Sequence, residues 1–122
     1  KTLPALMKSQ KLQQKAAKAG FDWPDIEGPI QKLYEELTEF KEALKSGRRK
    51  DVEDELGDML FSIVNIARFA GVDAEKALSG ACEKFTDRFE RMEDLANAGG
   101  QSVEALSPEA LDRLWEAVKH SY

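Results

Sequence analysis

The sequence has few of the residues that form disulfide frameworks and most transition-metal centres. It contains one cysteine, Cys82, and one histidine, His120, among 122 residues. A single cysteine excludes an internal disulfide and fits a reducing compartment, so we expect a cytoplasmic location. One histidine is too few for the paired Glu-x-x-His motifs of a ferritin-like di-iron centre, or for a zinc site of clustered cysteines and histidines.

Long apolar runs and several phosphate-binding or catalytic motifs are also missing. No stretch approaches the roughly 20 apolar residues of a membrane span, and no signal-peptide pattern opens the chain, so we expect no membrane partner. The sequence lacks a Walker A motif, a G-x-S-x-G motif and a G-x-G-x-x-G motif. Its 18 basic and 23 acidic residues give a net charge of −5. This balance argues against a nucleic-acid polymer as partner, although a divalent cation would still allow a small phosphorylated ligand.

The remaining pattern predicts an all-α fold, a helical bundle of about five helices in a single domain, residues 1–122. No stretch alternates like a strand, and the four prolines suit helix starts or loops. We expect Asp73 and Ser107 to cap the last two helices, and Gly47 and Gly71 to follow the second and third. The predicted helices run from about Pro4 to Ala19, from near Pro29 to before Gly47, from about Lys50 to Ala70, from after Asp73 to about Ala98, and from Pro108 onward.

The predicted third helix is apolar around most of its circumference, which is wider than one core contact requires. A second copy of the chain is the expected cover, so we predict a homodimer or a higher homo-oligomer. On the fourth helix, the apolar face includes Cys82, which we expect in the core rather than at a reactive site.

Two pairs of acids stand three residues apart on neighbouring predicted helices: Glu36 with Glu39, and Glu55 with Asp58. Residues at this spacing share one helix face. At about 100° per residue, both pairs fall on the same side of their apolar stripes, roughly 90° and 150° from the centre. Ser62 and Asn65 continue the same polar ridge on the third helix. The simpler alternative is that these acids only solvate two exposed helix faces.

If the two helices pack together, the four carboxylates converge at the edge of the core. Several acids in a partly dehydrated place need cations, because an uncompensated buried charge is costly. A site made of carboxylates and water suits Mg²⁺, with Mn²⁺ as a possible substitute. The pattern therefore predicts a magnesium site.

The segment Glu35–Glu39, followed after fifteen residues by Glu55–Asp58, resembles the E-E-x-x-E…E-x-x-D signature of the MazG nucleotide pyrophosphohydrolases. The likeness is closest to the C-terminal catalytic domain of bacterial proteins that carry two such domains in tandem. Because the chain begins without methionine, we expect it to be a C-terminal fragment of a longer chain. Further similar segments are Leu3–Met7, Gly20–Pro24, Val64–Arg68, Glu83–Phe85 and Arg88–Phe89.

The resemblance implies a dimeric, all-α enzyme that uses Mg²⁺ to hydrolyse ribo- or deoxynucleoside triphosphates to monophosphates and pyrophosphate. Its role would be nucleotide-pool control or house-cleaning, the latter directed at one modified or deoxy nucleotide. It implies metal ligands at Glu36, Glu39, Glu55 and Asp58, with Glu35 as a water-orienting candidate. It also implies nucleotide contacts from Lys84, Arg88, Trp115 and Lys119. We add Asn65 as a candidate base or sugar contact, and Trp23 as a residue that lines the pocket or anchors its loop.

Two alternatives remain open from the residues themselves. One is a non-catalytic helical interaction module whose acids are ordinary surface groups. The other is a nucleotide sensor that binds Mg·NTP without cutting it. Pyrophosphate release distinguishes the enzyme from both.

Overall fold

Helices make up all the regular secondary structure in residues 2–120, the part of the chain described by this computed structural model. They are α1 (Ala5–Lys18), α2 (Glu27–Ser46), α3 (Arg49–Phe69), α4 (Ala74–Ala98), a single 3-10 turn (Val103–Ala105) and α5 (Pro108–Lys119). The predicted all-α fold with five α-helices is confirmed. None of these helices is long and apolar enough to cross a membrane.

Side-chain caps begin α4 and α5. Ser107 Oγ accepts a hydrogen bond from the Ala110 amide at 3.1 Å, with Pro108 at the first helical position, as predicted. Asp73 Oδ1 likewise accepts from the Lys76 amide at 3.1 Å. Helix α2 begins two residues earlier than its proline indicated, because Asp25 Oδ1 accepts from the Glu27 amide at 3.0 Å and starts the turn.

The connection between α2 and α3 consists of two residues, Gly47 and Arg48. Gly47 has a φ of 72°, in the left-handed region that ends a helix at little cost for glycine. Gly71 ends α3 in the same way with a φ of 74°, as predicted. A two-residue connection makes α2 and α3 an antiparallel hairpin.

The chain divides into two compact units, the first of which ends at Ala77. In this unit α3 packs against both α2 and α1. Val64 and Pro29 are fully buried. Gln10 of α1 joins the start of α4, because its Oε1 accepts from the Ala74 amide at 3.1 Å.

The second unit begins at Leu78 and contains the rest of α4, the 3-10 turn and α5. Met92, Ala96 and Val118 are buried in it. The prediction for Cys82 is wrong, because this side chain is exposed. Helix α5 has 12 residues against 25 in α4, so at 1.5 Å per residue it is too short to cover the whole apolar face of α4.

Candidate active site

Three acids from α2 and α3 meet in the hairpin. Glu36, Glu39 and Glu55 each place a carboxylate oxygen within 4.8 Å of the other two. The first two residues lie one turn apart on α2, and the third lies on the facing helix. The convergence expected from the helical period is therefore present for these three of the four predicted ligands. We call this group the acid cluster.

The positions of the acids are symmetric about Gly47. Glu39 precedes Gly47 by eight residues (47 − 39), and Glu55 follows it by eight (55 − 47). Glu36 and Asp58 are eleven residues away on either side (47 − 36 and 58 − 47). In antiparallel helices that rise 1.5 Å per residue, this puts the pairs about 12 Å and about 17 Å from the turn. The acids of the two helices therefore lie level with each other.

Glu36 is the buried member of the acid cluster, with only 3% of its surface exposed. Its Oε1 lies 3.1 Å from Lys32 Nζ, one turn earlier on α2. The hydrogen bond from Lys32 and the charge of Glu36 raise the lysine pKa above its ordinary value. Glu36 Oε2 and Glu55 Oε2 are buried and accept no hydrogen bond from another described group. One ammonium group thus offsets part of the negative charge, and two oxygens remain without a donor.

The crowding of acids is visible in the pKa of Glu55. The pKa of this half-buried carboxyl is raised to about 6. The largest cause is burial, and the contact with Glu36 and the charges of Glu39, Glu36 and Asp58 raise the pKa further. Carboxylate oxygens whose lone pairs accept no hydrogen bond are the ligands that Mg²⁺ and Mn²⁺ prefer. The acid cluster therefore fits a hard divalent cation.

The other two predicted acids, Glu35 and Asp58, are not members of the acid cluster. Asp58 lines a cavity of about 380 Å³ together with Glu36, Lys32 and the buried Ser62. Glu35 is exposed and lies outside the cluster, although its charge contributes to the raised pKa of Lys32. We call the cavity lined by Glu36 and Asp58 the acid-lined cavity.

A second, more apolar cavity of about 400 Å³ adjoins the acid-lined one. The two share four wall residues: Phe21, Trp23, Phe61 and Asn65. Leu12, Gln13 and Ala16 of α1 complete the apolar side. Asn65, predicted as a base or sugar contact, therefore lies between a carboxylate-lined space and an aromatic one, and Trp23 lines both spaces.

Two contacts hold the loop between α1 and α2 beside these cavities. Arg68 donates from Nη2 to Asp22 Oδ1 at 2.6 Å and from Nη1 to Asp22 Oδ2 at 3.1 Å, and it also donates to Asn65 Oδ1. The hydrogen bond from Arg68 lowers the pKa of Asp22. The Trp23 ring lies against Gly28, where a Cβ atom would be 2.4 Å from Trp23 Cε3. Only glycine lets the ring pack this closely.

The predicted nucleotide contacts of the second unit are partly brought together. The Arg88 guanidinium lies 5.7 Å from the Trp115 ring centroid, in cation–π geometry. Phe85 lies on the same indole, with 5.6 Å between ring centroids. Lys84 is exposed on α4, and Lys119 is paired with Glu116 at 3.4 Å. Arg88 and Trp115 thus form one group, whereas the two lysines remain at the surface.

Three features of the site were not predicted. The spacing of Lys32 and Glu36 was available as an i, i+4 pattern, but that pattern is typical of exposed ion pairs. The bonds of Asp22 with Arg68, and of Gln13 with the Phe61 carbonyl at 2.9 Å, join residues 46 and 48 positions apart. No local pattern in one sequence indicates such contacts.

Comparison with known proteins identifies similar domains. Residues 26–92 match a family described as the MazG nucleotide pyrophosphohydrolase domain. The chain is 46% identical over 117 residues to a Thermotoga maritima protein named nucleoside triphosphate pyrophosphohydrolase/pyrophosphatase MazG. It is 38% identical over 121 residues to an Escherichia coli K12 protein named nucleoside triphosphate pyrophosphohydrolase.

These alignments cover nearly all of this chain but only part of each relative. They include 96% and 98% of this chain, and 45% and 46% of the T. maritima and E. coli proteins. A 71-residue match, 42% identical, to the Bacillus subtilis protein named YabN covers 58% of this chain and 14% of that protein. The chain thus spans about half the length of the first two relatives.

Proposed function

Because the chain belongs to the MazG nucleotide pyrophosphohydrolase family, we propose that it hydrolyses nucleoside triphosphates to nucleoside monophosphates and pyrophosphate. The observation that carries this proposal is the acid cluster, in which Glu36, Glu39 and Glu55 converge within 4.8 Å. The names of the T. maritima and E. coli relatives support the same reaction class.

We propose Mg²⁺ as the cofactor, with Mn²⁺ as a substitute. Glu36, Glu39 and Glu55 would hold it, with Asp58 from the adjoining cavity wall. A bound divalent cation supplies charge neutralisation for the triphosphate and a more acidic water. The unpartnered oxygens of Glu36 and Glu55 support this assignment, because buried carboxylates otherwise lack compensation.

The remaining chemistry falls to groups of the chain. A water molecule adds to phosphorus at the α–β linkage, that anhydride P–O bond breaks, and pyrophosphate leaves. The proton of the water passes to a carboxylate, and the exposed Glu35 is our candidate for orienting the water. Lys32 is one turn from Glu36 and places a positive charge beside the acid cluster, in addition to the charge of the proposed cation. No covalent enzyme intermediate is required.

We propose further nucleotide contacts for residues of the second unit, taken by itself. Lys84, Arg88 and Lys119 would bind phosphate oxygens, and Trp115 would stack on a base. The support within the second unit is the Arg88–Trp115 contact, which combines a cation with an aromatic surface. Asn65 is proposed as a base or sugar contact because it lines both cavities of the first unit.

We also propose a cytoplasmic homodimer. Leu56, Leu60 and Ile63 lie at spacings of four and three residues on α3, and each exposes more than two-fifths of its surface. Residues at these spacings form one helix face. An apolar strip of this kind on a small protein suits a second copy of the chain. A monomer by light scattering at micromolar concentration would contradict this part of the proposal.

The direct test is a panel of nucleoside triphosphates with Mg²⁺, in which pyrophosphate and orthophosphate are measured separately. Glu39→Gln and Asp58→Asn should abolish turnover while far-UV circular dichroism stays nearly unchanged, since each removes one charged ligand. Glu53→Gln is the matched control, because Glu53 is an exposed acid of α3 outside the cluster.

Retained turnover in Glu39→Gln or Asp58→Asn would contradict the ligand assignment. Saturable binding of Mg·NTP without any product would contradict the enzyme hypothesis and support the nucleotide-sensor hypothesis. Absence of both binding and turnover would favour an interaction module.

A further inference from the structure

We propose that Lys32 is a positioning residue of the acid cluster, which holds one carboxylate oxygen of Glu36 and thereby directs the other oxygen towards the divalent cation. This inference rests on the proposed function, because it takes the acid cluster to be a metal site. It gives Lys32 a role before any nucleotide binds. The ammonium group and the cation would bind the same carboxylate at the same time, one at each oxygen.

The two carboxylate oxygens of Glu36 have different surroundings. Oε1 lies 3.1 Å from Lys32 Nζ. Oε2 is buried and accepts no hydrogen bond from any group within residues 2–120. Glu36 also belongs to the acid cluster, in which one ligand oxygen of each acid lies within 4.8 Å of the others. With Oε1 engaged by the lysine, Oε2 is the oxygen of Glu36 that is left for a metal ion.

The depth of Glu36 explains why its carboxylate needs a partner. Only 3% of the residue is exposed, and a buried charge without compensation is costly. The last torsion of a glutamate side chain has no sharp rotamer preference, so the helix backbone alone does not fix the plane of the carboxylate. The hydrogen bond from Lys32 supplies both the compensating charge and the fixed plane.

The same spacing produces a different kind of ion pair on α3. Lys50 and Asp54 are also four residues apart, with 3.0 Å between Nζ and Oδ1. The side chains of this pair are 78% and 56% exposed, whereas the acid paired with Lys32 is buried. Exposed pairs are screened by water and contribute little. The Lys50–Asp54 pair is therefore a matched control for the Lys32–Glu36 pair.

The direction of the effect on metal binding distinguishes positioning from simple charge. Groups that hydrogen-bond a metal ligand orient that ligand, and their loss weakens metal binding. Charge alone predicts the opposite result, because removal of a positive charge beside Glu36 would favour a cation. In a folded variant that lacks Lys32, weaker metal binding therefore reports the lost hydrogen bond and not the lost charge.

The test measures the binding of Mn²⁺ alone, without nucleotide, to the full chain. Free Mn²⁺ is quantified by its electron paramagnetic resonance signal, and Mg²⁺ is measured by competition. Lys32→Met keeps an unbranched side chain but removes the donor, whereas Lys32→Arg keeps a charged donor. Lys50→Met removes the same charge from the exposed pair. Far-UV circular dichroism shows whether each variant is folded.

We expect Lys32→Met to bind Mn²⁺ about 10- to 100-fold more weakly than the original protein. Lys32→Arg should remain within about threefold, because its guanidinium also donates to a carboxylate. Lys50→Met should change the affinity by less than about twofold. Unchanged or tighter binding in Lys32→Met would overturn the inference. An equal loss in Lys32→Arg or in Lys50→Met would overturn it as well.

A measurement on the unsubstituted protein covers the case in which a variant does not fold. The NMR signal of the Lys32 ammonium group reports its hydrogen bond to Glu36 directly. We expect this bond to persist when Mg²⁺ saturates the protein. Release of Lys32 from Glu36 on addition of Mg²⁺ would show that the two cations compete for the carboxylate, which is contrary to the inference.

Hydrolysis of nucleoside triphosphates is measured separately. Weaker Mn²⁺ binding in Lys32→Met, together with no product from the original protein, would remove the proposed function and leave the positioning role of Lys32. Hydrolysis that requires Mg²⁺, together with equal Mn²⁺ binding in Lys32→Met and the original protein, would do the reverse. Absence of Mn²⁺ binding by the original protein would overturn the inference whether or not product is formed.

Discussion

Substitution of Gly28 by alanine separates the stability of the fold from the shape of the two cavities beside the acid cluster. An alanine Cβ would lie 2.4 Å from Trp23 Cε3 and 2.8 Å from Trp23 Cδ2. Carbon atoms in contact are normally about 3.5–4.0 Å apart. The indole must therefore move by more than about 1 Å. Trp23 is 41% exposed, so the ring has room to swing towards solvent while α2 stays in place.

Two opposing contributions determine the stability of Gly28→Ala. Alanine in a helix is favoured over glycine by about 1 kcal/mol. Overpacking against the indole costs about 1–3 kcal/mol. The net change in the free energy of unfolding is thus a destabilisation of at most about 2 kcal/mol, and less if the ring rotates away. We expect the variant to be folded, with a melting temperature within about 10 °C of the original.

The effect on function should be larger than the effect on the fold. Trp23 lines both cavities, so under the proposed function its displacement takes an aromatic surface away from the nucleotide. Loss of one base–aromatic stack corresponds to about 1–3 kcal/mol, so we expect KM for a nucleoside triphosphate to rise by a factor of about 5 to about 150. Tryptophan emission should shift to longer wavelength, because Trp23 gains contact with water.

Gly80→Ala is the matched control for this experiment. Gly80 is also a helical glycine, but nothing lies within 4 Å of its added Cβ. We expect this variant to gain stability slightly and to keep KM and emission unchanged. A shifted emission spectrum in Gly28→Ala with an unchanged KM would show that Trp23 moves without affecting the ligand, and would contradict nucleotide binding in these two cavities. Unchanged emission would refute the steric argument itself.

Two further predictions concern pH. The pKa of Glu55 is raised from 4.5 to about 6 in the folded protein. Between pH 4.5 and about 6 the native state therefore binds more protons than the unfolded state. The free energy of unfolding of the metal-free protein should thus decrease as pH rises through this range. Thermal unfolding in a chelator should show this slope, and Glu55→Gln should flatten it; an equal slope in both proteins would contradict the prediction. The pKa of Asp22 is lowered by its hydrogen bonds from Arg68, so that ion pair stabilises the fold above the ordinary Asp pKa of 3.8 and is lost as pH falls through the lower native value. Asp22→Asn should therefore be less stable than the original protein at pH 7, and the difference should disappear in acid; a constant difference would exclude a role for the charge.

The features that the sequence predicts well are local ones. Helical periodicity and a two-residue connection suffice to bring Glu39 and Glu55 to facing positions, because every relevant distance is measured along one hairpin. The ends of the helices at Gly47 and Gly71 were predictable for the same reason, since a left-handed glycine is a property of the local backbone.

The features that the sequence did not reveal depend on contacts between distant residues. Glu36 was placed by its angle at the edge of the apolar stripe, yet the packing of α3 leaves it only 3% exposed. The bond of Arg68 with Asp22 and that of Gln13 with a backbone carbonyl require the tertiary fold to exist first. The prediction that Cys82 is buried was wrong for a related reason. An apolar face indicates which side of a helix packs against a neighbour, but not how far along the helix that packing extends.

The equal distances of the acids from Gly47 limit how such a hairpin can change in length. One residue inserted between Glu39 and Gly47 would turn both α2 acids by about 100° and move them about 1.5 Å relative to their partners on α3. A deletion between Gly47 and Glu55 would do the same from the other side. Paired blocks close to a whole number of turns, such as about seven residues in each arm, would keep the acids level and facing. We therefore expect insertions and deletions between Glu36 and Asp58 to preserve the acid cluster only where α2 and α3 change in length together.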